Sequence, residues 1–456
     1  MLLPRLSFLI AVFLPFSAQA QNQVPVYEWV ATAGGAKNDK TRGVTLDREG
    51  NVFLTGEVTE DTKFGNIEVK SAGGMDCFLA KLDSKGHFIW ATTLGGPLTD
   101  RGYGVATDHA SDVYVTGHRQ ITEGDKVNGV VPKGAGRYDG FIAKYSREGQ
   151  LQWEHPFGGR GYNYGHGIVV DGKGDILITG GVAGEARFGD VLVTNDASNH
   201  VFCAKYNAAG KLLWVKIAKG KGANNGQAIS LDGADNIYIT GENNGASTFG
   251  TKEISAKNEG VLVMKLNSEG EPLWVTSVPS SARSTGSCIA ADASGRCWIS
   301  GIFHGQVTLN GQTYPSMNED PKNSDGFVAA FDTEGHLQWG HALVGPSIDY
   351  CLGVATDGKG QSFVTGEFSE TSTFAGQTLT SRGMTDSYLA SIDERGKLLW
   401  ISQSGGPKGD NAYIIATDGA GSLVYGGACM APAEFGEQKV TTTGGADLYV
   451  AKLKYR

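Results

Sequence analysis

Oxygen-bearing side chains recur at one position of a repeated pattern in this chain. Eight residues before each of seven regularly spaced aspartates stand Asp39, Asp100, Asn163, Asn224, Ser284, Asp349 and Asp410. Four carboxylates and two amides facing one place can hold Ca²⁺ or bind a cationic or sugar ligand, since hard cations take oxygen ligands. Alternatively, each side chain caps its own loop by bonding to local backbone. Recurrence in every repeat favours capping, so Asp39, Asp100, Asp349 and Asp410 are weak metal candidates, and we expect no cofactor.

Three residues further along each repeat, the residue type changes from one repeat to the next. Arg42, Tyr103, His166 and Tyr413 occupy equivalent places there. Polar diversity at an otherwise regular position is typical of a specific ligand site, and equally of solvated positions. We take these four residues as the ligand-binding candidates. We assign no catalytic residue, because the histidines are scattered without HExxH spacing and no G-x-S-x-G motif occurs.

The reference aspartates belong to a long repeat that also contains tryptophan. Each aspartate follows its tryptophan by 18 residues, and successive aspartates are 60 to 65 residues apart. The tryptophans are Trp29, Trp90, Trp153, Trp214, Trp274, Trp339 and Trp400; the aspartates are Asp47, Asp108, Asp171, Asp232, Asp292, Asp357 and Asp418. A period of this kind predicts an array of supersecondary units.

One unit contains four short strand patterns. In the second unit these are GVATD (104–108), VYVTG (113–117), GFIAKY (140–145) and LQW (151–153). Short turns rich in Asp and Gly join the first to the second and the third to the fourth. Four antiparallel strands per repeat predict a β-propeller blade. We name the strands a to d, with the crowded, small-residue strand a at the axis and the tryptophan at the outer end of strand d.

The two ends of the chain complete a single blade. The last unit stops after LYVAKLKYR (448–456), whereas VYEWVAT (26–32) reads as a strand d with no strands a to c before it. Pairing the two closes the ring and removes exposed sheet edges. The sequence therefore predicts an all-β fold: a single seven-bladed propeller of four-stranded antiparallel blades over 21–456, with blade 7 completed by residues 26–32.

A second set of aspartates lies two residues before the aromatic residue of strand c. Its members are Asp76, Asp139, Asp325, Asp386 and Asp447, with His200 and Gly260 in the other two repeats. We expect this recurrent position to cap the b–c connection. The b–c segments vary most in length, 302–324 and 118–138 being the longest, so we expect variable loops and any binding site on that face.

The N-terminal residues and the overall charge limit location and partners. Residues 1–20 read as a signal peptide with Arg5, a short apolar run and a small-x-small site ending at Ala20. Cleavage there predicts a secreted or periplasmic protein with no integral membrane segment. The formal net charge of −9 argues against nucleic acid as a partner, although a small basic patch is compatible with it.

Six cysteines occur without metal-ligand spacing. They are Cys77, Cys203, Cys288, Cys297, Cys351 and Cys429. Several take strand positions where other repeats carry small residues, which favours buried thiols, although an exported chain could oxidise them.

The repeat resembles the bacterial seven-bladed β-propeller (SBBP) repeat family. The resemblance rests on Asp-x-x-Gly-Asn-Val-Phe-Leu-Thr-Gly (47–56), Phe-Leu-Ala-Lys-Leu-Asp-x-x-Gly (78–86), and Trp90 with Leu94-Gly95-Gly96. It implies an exported propeller and carries no catalytic residues. We expect a binding or scaffold protein that presents a loop-rich face to a glycan, peptide or protein. The alternative is a propeller hydrolase or lyase with its site at the mouth of the axial channel.

Overall fold

The computed structural model describes residues 25–121, 138–159, 161–254, 260–317 and 324–455. Within these ranges the chain forms seven four-stranded antiparallel blades and no helix, and so contains no helix long and apolar enough to span a membrane. The predicted seven-bladed β-propeller is confirmed. The expected signal peptide, residues 1–20, lies outside the described residues.

The four strands of each blade follow one another outward from the axis. Strands a of blades 1 to 7 are Lys40–Leu46, Asp100–Thr107, Tyr164–Val170, Ala223–Leu231, Ser284–Ala291, Asp349–Thr356 and Asn411–Thr417. Strands b are Val52–Thr59, Val113–Arg119, Ile176–Phe188, Ile237–Asn244, Cys297–Phe303, Ser362–Phe368 and Ser422–Cys429. Strands c are Met75–Leu82, Asp139–Tyr145, Val191–Tyr206, Gly260–Leu266, Asp325–Phe331, Asp386–Ile392 and Asp447–Lys454. Strands d are Phe88–Leu94, Leu151–Gly158, Leu212–Ile217, Pro272–Pro279, Leu337–Val344, Leu398–Ser404 and, for blade 7, Val26–Gly34.

Ring closure occurs in blade 7, where the first described strand joins the last. Val26–Gly34 pairs antiparallel with Asp447–Lys454, with Val30 opposite Ala451. Apolar side chains of blades 1 and 7, among them Leu54 and Val450, then share one buried cluster. The predicted closure is confirmed, and it leaves blade 7 with the same four strands as its neighbours.

The small residues predicted for strand a lie where neighbouring blades come closest. A Cβ added at Gly43 would come within 2.8 Å of the Tyr103 carbonyl oxygen, and one at Gly104 within 2.8 Å of the His166 carbonyl oxygen. Backbone of the next blade therefore fills the space that a side chain would need. The cysteines also have small side chains in confined positions. All six are free thiols, and all are buried except the partly buried Cys288.

Six of the seven repeat tryptophans at the rim cover the c–d turn of the next blade. The indole Nε1 of Trp29 donates to the Ser84 carbonyl at 3.0 Å, and that of Trp90 donates to the Arg147 carbonyl at 3.1 Å. A Cβ on Gly86, at the end of the same turn as Ser84, would lie 2.6 Å from the Trp29 ring. The recurrent Trp and the recurrent turn Gly thus form one inter-blade contact.

The b–c connections are more ordered than the variable loops that we expected. In five blades they contain short hairpins, namely Thr62–Phe64 with Ile67–Val69, Ser247–Phe249 with Lys252–Ile254, Gln306–Leu309 with Gln312–Pro315, Thr371–Phe374 with Gln377–Thr380, and Ala433–Phe435 with Gln438–Val440. In blade 3, strands b and c themselves extend into the hairpin. Lys219–Gly220, after strand d of blade 3, pairs with the blade 4 hairpin. Most of residues 118–138 lie outside the described residues.

These hairpins attach to the preceding blade. Phe64 pairs with Ala33, Phe188 with Phe157, and Phe374 with Leu343, each partner being in strand d of the blade before. The phenylalanines are fully buried, which gives the hairpins an apolar anchor. The sequence signal is a small residue, any residue, then Phe and Gly, as in Thr62-Lys63-Phe64-Gly65, where Gly65 turns the chain at a φ of 59°.

Candidate functional site

The side chains eight residues before each repeat aspartate are buried and bonded to backbone. Asp39 accepts the N–H of Gly35 at 2.9 Å and that of Thr59 at 2.8 Å. Asp410 likewise accepts from Gly406 at 2.8 Å and Met430 at 3.1 Å. One oxygen therefore caps the d–a loop, and the other ties that loop to the end of strand b. Such a side chain has a structural task at each blade junction.

A strand c aspartate of the preceding blade faces this ring. At the junction of blades 5 and 6, Asp325 faces Asp349, and its negative charge helps burial to raise the pKa of Asp349. At the junction of blades 2 and 3, the Asn163 amide donates to Asp139 at 3.4 Å. At this junction an amide N–H lies between the two side chains, whereas other junctions have two carboxyl groups that face each other.

Burial is the main cause of a raised pKa in these carboxyl groups. It raises the pKa of Asp349 and Asp410 to about 7, and the facing carboxylates push in the same direction. The pKa values of Asp39 and Asp100 rise to about 6 for the same reasons. No group of three or more His, Cys, Asp or Glu suited to a metal occurs within the described ranges. The four weak metal candidates therefore lie at four different blade junctions. Each faces one strand c aspartate and accepts hydrogen bonds from backbone N–H groups.

The strand c aspartates also bond to their own b–c connections. Asp76 accepts the N–H of Ala72 at 2.8 Å, and Asp447 accepts that of Thr443 at 3.1 Å. These contacts agree with the capping role that we inferred from the recurrence of the strand c aspartates. That these aspartates also face ring residues of the next blade was not predicted.

A β-bulge in strand a of every blade defines a second ring of side chains. Its seven bulged residues, which we call the collar, are Arg42, Tyr103, His166, Gln227, Ser287, Leu352 and Tyr413. A bulge leaves one residue unpaired and redirects its side chain. All seven line an axial channel of about 660 Å³, which is within the size range of small-ligand pockets. All four predicted ligand-binding residues are thus members of one collar.

The four predicted residues also contact one another. The Arg42 guanidinium lies 5.6 Å from the Tyr103 ring centre and 5.7 Å from that of Tyr413. The ring centres of Tyr103 and His166 are 4.8 Å apart, edge to face. The structure therefore brings together residues of blades 7, 1, 2 and 3 along one side of the channel, while Gln227, Ser287 and Leu352 line the other.

A buried glutamate holds two arginines at this mouth. Arg42 donates to Glu57 through Nε at 3.0 Å and Nη2 at 3.1 Å, and Arg101 Nε lies 2.8 Å from the same carboxylate. Burial raises the pKa of Glu57, but the charges of Arg42 and Arg101 outweigh that effect and lower it. Glu57 therefore stays ionised, and the pair of guanidinium groups is fixed in position.

A row of aromatic rings continues from the collar along blade 3. The rings of His166 and Tyr164 are 5.7 Å apart and nearly parallel at 5°, and Tyr162 lies 6.3 Å beyond Tyr164. Burial lowers the pKa of His166 to about 4, so the ring is neutral at pH 7. Its Nδ1, 3.0 Å from the Gly226 carbonyl, is then the donor, which leaves Nε2 as an acceptor.

A side cleft of about 440 Å³ adjoins the channel. Arg101, Tyr164 and Asn225 line it, together with Tyr103 and His166, which also line the channel. The two cavities are therefore neighbours with Tyr103 and His166 in the walls of both, and we call them together the mouth.

Sequence reasoning missed the residues that extend the mouth beyond the collar. Lys40, Arg101, Tyr164, Asn225 and Tyr350 stand two positions before collar residues, and Glu57 is the cross-strand partner of Lys40. Residues two apart on a strand share a face, so this position carried an available signal. No sequence signal pointed to Glu57, because strand b residues vary in type and the two arginines that it binds lie in different blades.

The strand arrangement defines a β-propeller with an open mouth at the channel, and comparisons of sequence agree. The family model of the SBBP β-propeller repeat matches residues 89–118, which run from strand d of blade 1 through strand b of blade 2. The chain is a β-propeller protein, and its residues 89–118 match the SBBP repeat that the motifs resemble.

A curated relative and two solved structures show the same kind of likeness. An uncharacterized WD repeat-containing protein of Acanthamoeba polyphaga mimivirus is 22% identical over 496 residues; the match covers 88% of this chain and 36% of that protein, about a third of its length. YCF48 bound to D1 peptide is similar at 8% identity and a TM-score of 0.45, covering 96% of this chain and 100% of the other. The Neurospora crassa Pan2 WD40 domain is similar at 9% identity and a TM-score of 0.43, covering 91% and 89%.

Proposed function

We propose that this protein is an exported binding protein that takes its ligand at the mouth. The observation that carries the proposal is the collar: seven bulged residues aim into one channel, and their types differ from blade to blade. A scaffold needs the same residue at each equivalent position, whereas a ligand requires different groups at different points of its surface.

Fixed geometry at the mouth supports ligand recognition. Glu57 is only 3% exposed and anchors Arg42 and Arg101, so the two guanidinium groups are held before any ligand arrives. The neighbouring rings pack against one another, which limits their rotation. A preorganised site loses less side-chain entropy on binding.

The same contacts favour binding over the hydrolase or lyase alternative. Nucleophilic and acid–base catalysis need a nucleophile and a base within hydrogen-bond reach of each other. Glu57 is instead engaged by two cations, and the Nδ1 of His166 is engaged by a backbone carbonyl. We find no nucleophile–base pair among the described residues of the mouth.

A ligand screen with matched variants tests the proposal. The mature protein, expected to begin at Gln21, is screened against glycan and peptide arrays alongside the double variant Tyr103→Ala/His166→Ala. The control is His87→Ala, which removes an exposed ring from the c–d turn of blade 1, outside the mouth. We expect a ligand that the control retains and the double variant loses, with both variants folded by circular dichroism.

Binding that survives the double variant would move the site away from the mouth and refute the proposal. A ligand consumed during the assay would favour the enzyme alternative. N-terminal sequencing of secreted material tests export, and a full-length product confined to the cytoplasm would contradict it.

A further inference from the structure

The mouth carries more positive than negative charge, in contrast to the chain as a whole. Lys40, Arg42 and Arg101 surround it, while the formal net charge of the chain is −9. Glu57 balances one of these three charges. Glu367, whose pKa is raised to about 7 by burial and lowered in part by nearby Lys40, balances a second only in part. A cationic mouth on an acidic protein favours a ligand with negative charge.

Both arginines retain donors for such a ligand. The bonds from Arg42 to Glu57 use Nε and Nη2, and the ion pair of Arg101 uses Nε. Nη2 of Arg101 contacts Met75 Sδ at 3.9 Å, and within the described part of the chain Nη1 of both guanidinium groups makes no hydrogen bond. Their side chains are 24% and 30% exposed, so they are reachable from solvent. Guanidinium groups held in this way suit a carboxylate, which accepts two parallel N–H bonds.

The remaining surface suits sugar rings. Tyr103, His166 and Tyr164 present ring faces and edges along the line where the channel and the cleft meet. Of the residues at the collar and at the positions two before it, Leu352 alone is aliphatic, and the others carry hydrogen-bonding groups. Aromatic rings take the apolar face of a sugar, and polar tips take its hydroxyls. The channel wall also contains aliphatic side chains such as Val44, Val105 and Ile168, so an acidic peptide is the competing ligand that the experiment must separate.

We propose, building on the binding function above, that the ligand is an acidic carbohydrate, a sugar chain that carries carboxylate groups. A carboxylate binds Arg42 and Arg101, and the adjoining sugar rings lie along Tyr103, His166 and Tyr164. The two neighbouring cavities, with Tyr103 and His166 in the walls of both, suit a chain of sugar units.

Calorimetric titration with three probes tests this inference. The probes are an oligogalacturonate, the same oligosaccharide with its carboxyl groups reduced to alcohols, and poly-L-glutamate. The test variant is Arg101→Gln, which leaves the bidentate Arg42–Glu57 pair in place. The matched control is Arg283→Gln: Arg283 pairs with Glu242, which occupies on strand b of blade 4 the position of Glu57 in blade 1.

We expect the oligogalacturonate to bind about tenfold or more tightly than its reduced form, since a hydrogen bond to a charged group contributes about 1.5–3 kcal/mol. Arg101→Gln should weaken that binding about tenfold, Arg283→Gln should not, and added salt should weaken it. Equal binding of the reduced sugar, or no effect of Arg101→Gln, refutes the acidic inference while the binding function stands. Binding of poly-L-glutamate alone identifies an acidic peptide and overturns the carbohydrate. Failure of all three probes together with an empty array screen refutes the binding function itself.

Discussion

Two rings of side chains, three residues apart along the same strands, follow opposite rules. In the outer one, which contains Asp39 and Asp410, every blade places an oxygen-bearing side chain on backbone N–H or carbonyl groups of its own loops. In the collar, which contains Arg42 and Tyr413, the bulge frees the side chain, and the seven residues are diverse. The contrast teaches that repetition marks what a blade junction requires, and variation marks what the fold leaves free for a ligand.

Removing one junction altogether should have the largest effect. Deleting residues 25–34 takes away strand d of blade 7 and the chain that leads into Gly35, whose N–H donates to Asp39. We expect a fall in melting temperature on the order of 10 °C or more, because Asp447–Lys454 becomes an open edge. Differential scanning calorimetry measures it, with removal of residues 21–24 alone as the control. A truncated protein that melts like its parent would contradict closure at this blade.

Substituting one residue of each ring should show that the two rings contribute differently to the free energy of unfolding. Asp410→Ala leaves the N–H groups of Gly406 and Met430 without their acceptor, and we expect a loss of about 2 kcal/mol in the free energy of unfolding. Asp410→Asn keeps one of the two acceptor oxygens and should cost about half as much. Gln227→Ala, in the collar, should change stability by less than about 0.5 kcal/mol. Urea unfolding compares the three, and an equal cost in ring and collar would remove the distinction.

The pH dependence of the melting temperature should also distinguish the ring residues from the collar. The folded pKa values of Asp349 and Asp410, about 7, lie above the usual carboxyl value of about 4, so the folded state holds protons that the unfolded chain releases. This contribution is complete below about pH 4 and is lost as pH rises through 7. We therefore expect the melting temperature to fall between pH 5 and pH 8, and the fall to be shallower in Asp410→Asn.

The charge-matched control for the pH experiment is Asp190→Asn at an exposed turn, which should leave the slope unchanged. A slope that is the same in Asp410→Asn as in the parent would show that this carboxyl group does not hold the proton.

Calcium should have the smallest effect. If the ring only ties loops to backbone, added CaCl₂ leaves the melting temperature unchanged. A bound ion would instead raise it with the logarithm of its concentration above the dissociation constant. The test variant has Asp39, Asp100, Asp349 and Asp410 all changed to Asn. A calcium-dependent shift in melting temperature that this variant loses would show that the ring binds calcium.

The sequence predicted what recurs within one repeat. The blade, its closure and the backbone contacts of Asp39 follow from spacing and turn chemistry, because each depends on positions that return every 60 to 65 residues. It also pointed to the collar, since Arg42 and Tyr413 interrupt a regular position.

Contacts between blades were not predictable in the same way. The Asp325–Asp349 pair and the bridge from Glu57 to Arg101 depend on which positions of adjacent sheets meet, and a period does not encode that. The bulge that frees Arg42 was hidden as well, because the alternation of side chains along strand a continues on both sides of it.

Most of the repeat tryptophans contact the next blade, and the described hairpins of blades 1, 3 and 6 pair with the blade before, so neighbouring blades are joined at two places. Closure differs from these contacts in sequence distance. Val26–Gly34 pairs with Asp447–Lys454 from the opposite end of the chain, whereas the other junctions join segments within about one repeat of each other. A contact between distant segments costs more loop-closure entropy than a local one. Closure of the ring is therefore helped most by blades that have already folded between its two strands.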